Sequence, residues 1–118
     1  MGGNAREESF ELSVDAIGGT LALVVRGPLT PATHEPLRDC LEAAIRGGRP
    51  VVLDLTEATT IEPQSTDMLM QAHRRLATRL RIVTDRNGAV HAALREAGVS
   101  HVLALHASRA EALAAAGR

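Results

Sequence analysis

An α/β fold with a mixed β-sheet, a leading β-hairpin and about four helices follows from three features of this 118-residue sequence. Apolar residues alternate with polar ones at the start of the chain, on either side of a Gly-Gly pair. Short, dense apolar runs then alternate with segments whose apolar residues recur at helical spacing. Glycine or proline punctuates most of these junctions. The order β-β-α-β-α-β-α-β-α implies helices packed on a sheet that is antiparallel at its start and parallel afterwards. The length suits one domain, expected over residues 9–117. Residues 1–8 are polar and Gly-containing, and read as a disordered tail or an expression remnant.

The elements follow in order. Phe10, Leu12 and Val14 alternate with Glu11, Ser13 and Asp15, which predicts a half-buried strand. Gly18-Gly19 is a hairpin turn, and Thr20 to Arg26 is the returning strand, ended by Gly27-Pro28. Thr30-Pro31-Ala32-Thr33 is a helix-start cluster, with Pro36 placing the start near Thr33. Leu37, Cys40, Leu41, Ala44 and Ile45 then form an apolar stripe, and Gly47-Gly48 closes the helix. Val51 to Leu55 is an apolar run suited to a strand buried on both faces. Pro63 opens a second helix with Leu69, Ala72, Leu76 and Leu80 as its buried stripe. Leu80 to Val83 is a strand, broken by Asn87-Gly88. Val90, Ala93, Leu94 and Ala97 mark a third helix, closed by Gly98. Val102 to Leu105 is a last strand, and Ala110 to Ala116 an Ala-rich helix.

Composition excludes several functions. Thirteen basic and 14 acidic residues leave a net charge of −1, so no basic field exists to hold nucleic acid. All the basic residues are Arg, which reads as compositional bias. Phe10 is the only Phe, Tyr or Trp, which removes any base-stacking platform. No apolar run approaches the roughly 18 residues of a membrane helix, and no signal-peptide pattern opens the chain, so direct membrane insertion is not expected. Cys40 is the single cysteine. It cannot form an internal disulfide, which fits a reducing cytoplasm, and its place on the helical stripe reads as core rather than reactive thiol.

Catalytic patterns are thin. His34, His73, His91, His101 and His106 form no ligand-spaced pair, so no metal is expected, and His73 reads as a boundary histidine of the second helix. The sequence holds no nucleotide loop and no nucleophile elbow, so neither a cofactor nor an enzymatic role is expected. Asp54 and Glu62 are the one carboxylate pair expected to converge, and they suit polar structural contacts better than acid–base work. The informative segment runs from Leu53 to Ser65 and leads from a strand end to a helix start. Sites in open α/β sheets form beyond the carboxyl ends of strands, and a phosphoryl group there changes the local charge by roughly −2.

Here the sequence resembles the STAS-domain family, the bacterial anti-sigma factor antagonists. The resemblance rests on Val51-Val52-Leu53-Asp54-Leu55-Thr56, then Ile61-Glu62, Leu69 and Arg74-Arg75. Gly27-Pro28-Leu29-Thr30 leading to Leu37-Arg38 and Leu41 is similar to the family's approach to its first helix. The element order matches from Phe10 to Ala116. The resemblance implies a STAS-like fold and partner switching. In that scheme the antagonist binds an anti-sigma factor, often a serine kinase, which phosphorylates it at the start of the second helix and so breaks the complex.

The family's Asp-Ser-[Ser/Thr]-Gly aligns with Glu62-Pro63-Gln64-Ser65, so neither usual acceptor position carries a hydroxyl. Thr66 and Ser65 are the nearest hydroxyls and the remaining phosphoacceptor candidates, but helical spacing turns Ser65, and Thr66 in part, toward the buried stripe, so the expectation is that this loop carries no regulatory phosphate. Gln64, Asp67, Gln71 and Arg74 face outward. Met68 borders the core, whereas Met70 is either an exposed contact or packed on the next element. The implied docking set is Thr30, Glu62, Pro63, Gln64, Ser65, Asp67, Met70, Gln71 and Arg74. The implied partner is an anti-sigma factor or serine-kinase-type protein, with a homodimer also compatible. The competing readings are a STAS subunit of a lipid-trafficking ABC transporter, a stressosome-like scaffold, and an enzyme.

Overall fold

The computed structural model describes residues 9–116, so residues 1–8, expected as a tail, and residue 117, the expected domain end, lie outside the described residues. Five strands form one sheet in the order β1-β2-β3-β4-β5. They are β1 (Glu11–Ile17), β2 (Thr20–Leu29), β3 (Val51–Ile61), β4 (Leu80–Val83) and β5 (Leu105–His106). The pair β1–β2 is antiparallel and the other pairs are parallel, which gives the expected mixed sheet. Helices α1 (Glu35–Gly47), α2 (Pro63–Leu76) and α3 (Ala89–Glu96) lie between successive parallel strands, and α4 (Arg109–Ala116) follows β5.

Alternation along the strands assigns the two faces. Val51, Leu53 and Leu55 of β3 join Leu80 and Ile82 of β4 in the main core, against Leu37 and Leu41 of α1, Leu69 and Leu76 of α2, and Leu94 of α3. Fully burying each such leucine is worth about 1.5–3 kcal/mol. Val52 and Val83 point the other way and pack on Ala112 of α4. Asp54 shares that face. The Arg109 guanidinium donates to its Oδ2 from Nε at 3.1 Å and from Nη2 at 2.9 Å, tying α4 to the sheet.

The hairpin forms as expected: Gly18 (φ 56°) and Gly19 (φ 88°) both adopt the positive φ that a tight two-residue turn requires. The burial expected for β1 does not follow. It is an edge strand with one neighbour; Leu12 is half-buried while Val14 is 53% exposed. Its period-two pattern marks a strand without guaranteeing a covered face.

Two strands run further than their apolar cores. β2 continues through Gly27-Pro28 to Leu29, and β3 continues from Leu55 to Ile61. The extensions pair with each other, Arg26 with Glu57, Gly27 with Ala58 and Leu29 with Ile61, with register shifts that mark a bulge. Gly27 takes φ 91° there. β1 stops pairing at Arg26, so the missing Pro28 amide costs no bond on that side.

At other ends the elements are shorter. α1 starts at Glu35, with His34 rather than Thr33 at the cap. Its C-terminus is capped as expected, by Gly48 at φ 66°. α2 stops at Leu76, where Ala77 takes φ 53° and a single 3₁₀ turn (Ala77–Arg79) follows. Leu80 is therefore the first buried residue of β4, not the last of the helical stripe. α3 buries Val90 and Leu94, with Ala93 half-buried and Ala97 exposed at its C-cap. The expected strand over Val102 to Leu105 reduces to Leu105–His106. Val102 and Leu103 instead donate to the Val99 carbonyl in a turn.

Candidate functional site

The extended ends of β2 and β3 carry two turns side by side. Leu29 and Ile61 are register partners, and the Glu62 amide donates to the Leu29 carbonyl at 3.1 Å. The Thr30–His34 turn is braced internally. Thr33 Oγ1 accepts from the Thr30 amide at 2.9 Å and donates to the Pro28 carbonyl at 2.7 Å. Thr30 Oγ1 accepts from the Ala32 amide at 3.2 Å. Thr33 thus organises the turn before α1 instead of capping the helix.

Glu62 caps α2 through its backbone, and the Ser65 and Thr66 amides donate to its carbonyl at 2.9 and 3.0 Å. Ser65 is wholly buried and Thr66 is 5% exposed. The Ser65 hydroxyl is hydrogen-bonded to His34 Nδ1 at 2.8 Å, which joins the two turns. Outward from this bond, Glu62, Pro63, Gln64, Asp67, Gln71 and Arg74 are exposed along one side of α2, as helical spacing predicts. Thr30 is half-buried. Met68 is buried, and Met70 is half-buried against the core, so the packed reading of Met70 holds over the exposed one.

Two depressions flank this surface. One, about 340 Å³, is lined by Ile61, Pro63, Thr66, Ala93, Glu96 and Ala97 between α2 and α3. A smaller crevice of about 70 Å³ lies between α1 and α2, with Ile45, Met68 and Ala72 among its walls. The rim is charged on both sides: Glu62 and Asp67 near the helix start, Arg74 and Arg75 in its last turn. Basic residues at the C-terminal end complement the helix dipole.

The carboxylates expected to converge do not. Asp54 sits mid-strand and Glu62 follows the end of β3, roughly 25 Å apart at strand rise. Burial works to raise the Asp54 pKa. The Thr56 amide and hydroxyl, and then Arg109, outweigh it and hold the carboxyl below its ordinary value. Asp54 is therefore an ionised structural anchor. Cys40 is half-buried against the core. Burial, and secondarily Asp39, push its thiol pKa up, away from reactivity. His73 is half-buried with its Nδ1 lacking a partner among the described residues. No group of three potential metal ligands assembles among those residues, and no helix among them is long and apolar enough to cross a membrane.

The His34–Ser65 bond was not visible in the sequence, because no periodicity links positions 31 apart. The helical wheel did turn Ser65 inward, and only the fold supplies its partner.

The family model described as "Mlab, STAS domain" matches residues 12–107. Comparison with curated proteins gives no significant match. An anti-sigma factor antagonist from Mycobacterium paratuberculosis superposes with a TM-score of 0.82 at 19% identity, covering 93% of this chain and 96% of that one. A Thermotoga maritima protein proposed to be an anti-sigma factor antagonist gives 0.78 at 12% identity, covering 91% and 95%. The anti-sigma factor antagonist SpoIIAA in its unphosphorylated form gives 0.65 at 13% identity, covering 90% and 94%. These likenesses establish the shared fold.

Proposed function

The chain belongs to the STAS-domain family, and on that premise we propose that it is a protein-binding module of the anti-sigma factor antagonist kind. Its docking face is the exposed side of α2, from Glu62 at its start to Arg74 in its last turn, with the Thr30 turn beside it. Its partner is an anti-sigma factor or a serine-kinase-type protein, and it acts by occupying that partner rather than by turnover. A flat, charged helix face beside an apolar depression suits a protein partner better than a small substrate.

The observation that carries this reading is the inversion of side chains at the α2 start. Pro63 and Gln64 stand outward where the family's acceptor hydroxyls are expected, while Ser65 and Thr66 are buried and the Ser65 hydroxyl is engaged by His34. A kinase cannot reach the Ser65 oxygen without breaking its bond to His34 and unpacking the helix start. Docking at this face is therefore not switched off by phosphate, and the module is constitutive toward its partner.

The test is affinity purification of the tagged protein from its own cells, followed by mass spectrometry. Recovery of a serine-kinase-type anti-sigma factor is the expected result. Recovery of an ATPase together with a permease would overturn it in favour of a transporter subunit.

A further inference from the structure

Away from α2, the carboxyl ends of β4 and β5 open into a cleft of about 520 Å³. That volume lies in the range of small-molecule sites, roughly 300–1,000 Å³. Its charge is one-sided. Arg86 and Arg95 line it together with His91 and His106, and no carboxylate does. In a chain of net charge −1, this concentration of one sign is a local feature. Neither arginine has an acidic partner among the described residues; the ion pairs there involve Arg26, Arg38 and Arg109.

The walls are built rather than loose. Thr84, 2% exposed, holds His91 through a 2.9 Å bond between Oγ1 and Nδ1. The Thr84 amide donates to the His106 carbonyl at 3.1 Å, which fixes the two strand ends together. The carboxylate nearest the loop, Asp85, accepts the Asn87 amide at 3.0 Å. The N-terminus of α3 adjoins the cleft with no side chain capping it, so its first amides and dipole favour an anion. His106 Nε2 is buried without a hydrogen-bond partner among the described residues. Burial, and then the Arg81 guanidinium, hold the His106 pKa below its ordinary value against the opposing pull of Glu111. Arg86 and Arg95 supply the fixed cationic charge of the cleft.

We propose that this cleft binds a phosphate monoester of a small polar metabolite, with Arg86 and Arg95 receiving the phosphate beside the start of α3. Two arginines match the charge of a monoester dianion, and a guanidinium fork suits phosphate oxygens. The site is independent of the α2 face, so it stands or falls separately from the partner-binding reading.

The experiment is a titration of the ¹⁵N-labelled full chain with ribose 5-phosphate, with ribose as control. Saturable shifts confined to Thr84–Arg95 and His106, absent with ribose, are expected. Arg86→Gln with Arg95→Gln is expected to weaken binding by about tenfold or more while leaving the melting temperature unchanged, since charge-assisted bonds are lost at exposed positions. Arg86→Gln alone serves if the double variant folds poorly, and is expected to weaken binding about threefold or more. Equal shifts with ribose, no saturation at millimolar ribose 5-phosphate, or binding undiminished in the variants would overturn the proposal. Binding to vesicles containing phosphatidic acid, without binding to ribose 5-phosphate, would overturn it in favour of a lipid headgroup.

Discussion

Ser65 and His34 show how one hydrogen bond sets the chemistry of a helix start. With Ser65 wholly buried and its hydroxyl engaged at 2.8 Å, the residue is a joint between two turns. Ser65→Ala is predicted to cost about 1 kcal/mol, because it strands a half-buried His34 nitrogen. Ser65→Asp is predicted to cost several times more, since it buries a charged and larger group in a site packed around a hydroxyl. Urea denaturation checks both, as lower midpoints at unchanged slope. Asp54 gives a pH signature. Its folded pKa lies below the unfolded value of about 3.9. Its contribution is therefore present above that value and lost as pH falls through the folded pKa. Asp54→Asn is predicted to lower the melting temperature at pH 7, with the gap to wild type shrinking below pH 4. Helical spacing placed Ser65 and Thr66 inward from the sequence, but Arg109 and Asp54, 55 positions apart, meet only because α4 returns to the sheet.

The elements put the Thr30 and Glu62 turns where they are. β2 and β3 extend past the last pairing of β4 as a paired ribbon that ends on the buried Leu29 and Ile61, so the α2 start stands beyond the ends of β4 and β5. Gly27 is the hinge of that ribbon. It takes φ 91°, and a Cβ there would collide with the Ser9 carbonyl oxygen. Gly27→Ala is predicted to destabilise by about 2 kcal/mol, combining the φ penalty with the backbone clash, and to be read as a lowered melting temperature. The ribbon was not legible in the sequence. Gly27-Pro28 carries the signature of a strand end, and Thr56 to Thr60 is polar and largely exposed. What sustains these residues as strand is their ladder with each other, which no local pattern encodes. The converse error occurred at Val102 to Leu105, where a short apolar run reads equally as strand or as buried turn. The core strands and the first three helices were legible because their apolar periods coincide with the faces they bury, and the last helix from its alanine-rich composition.

At the scale of the whole molecule, element order and the Val51–Thr56 motif together were enough to place the chain in its family, and the sheet topology agrees. Pro63 and Gln64 at the usual acceptor positions are legible in the sequence, and the fold adds the His34 bond that engages Ser65. Pro63→Ser with Gln64→Ser puts two exposed hydroxyls there. The double variant is predicted to accept phosphate from the serine kinase that binds it, whereas wild type accepts none; phosphopeptide mass spectrometry after incubation with ATP checks this. The account's central claim is that the α2 start is the partner-docking face. Its most direct measurement is the affinity of the recovered partner for three proteins: wild type, Gln64→Arg with Asp67→Arg, and Val14→Ser with Ile17→Ser on the exposed edge of β1. The account predicts that the α2 pair weakens binding by about tenfold or more, through charge reversal and bulk at the contact, while the β1 pair leaves it unchanged. Loss of binding in the β1 pair with full affinity in the α2 pair would contradict it.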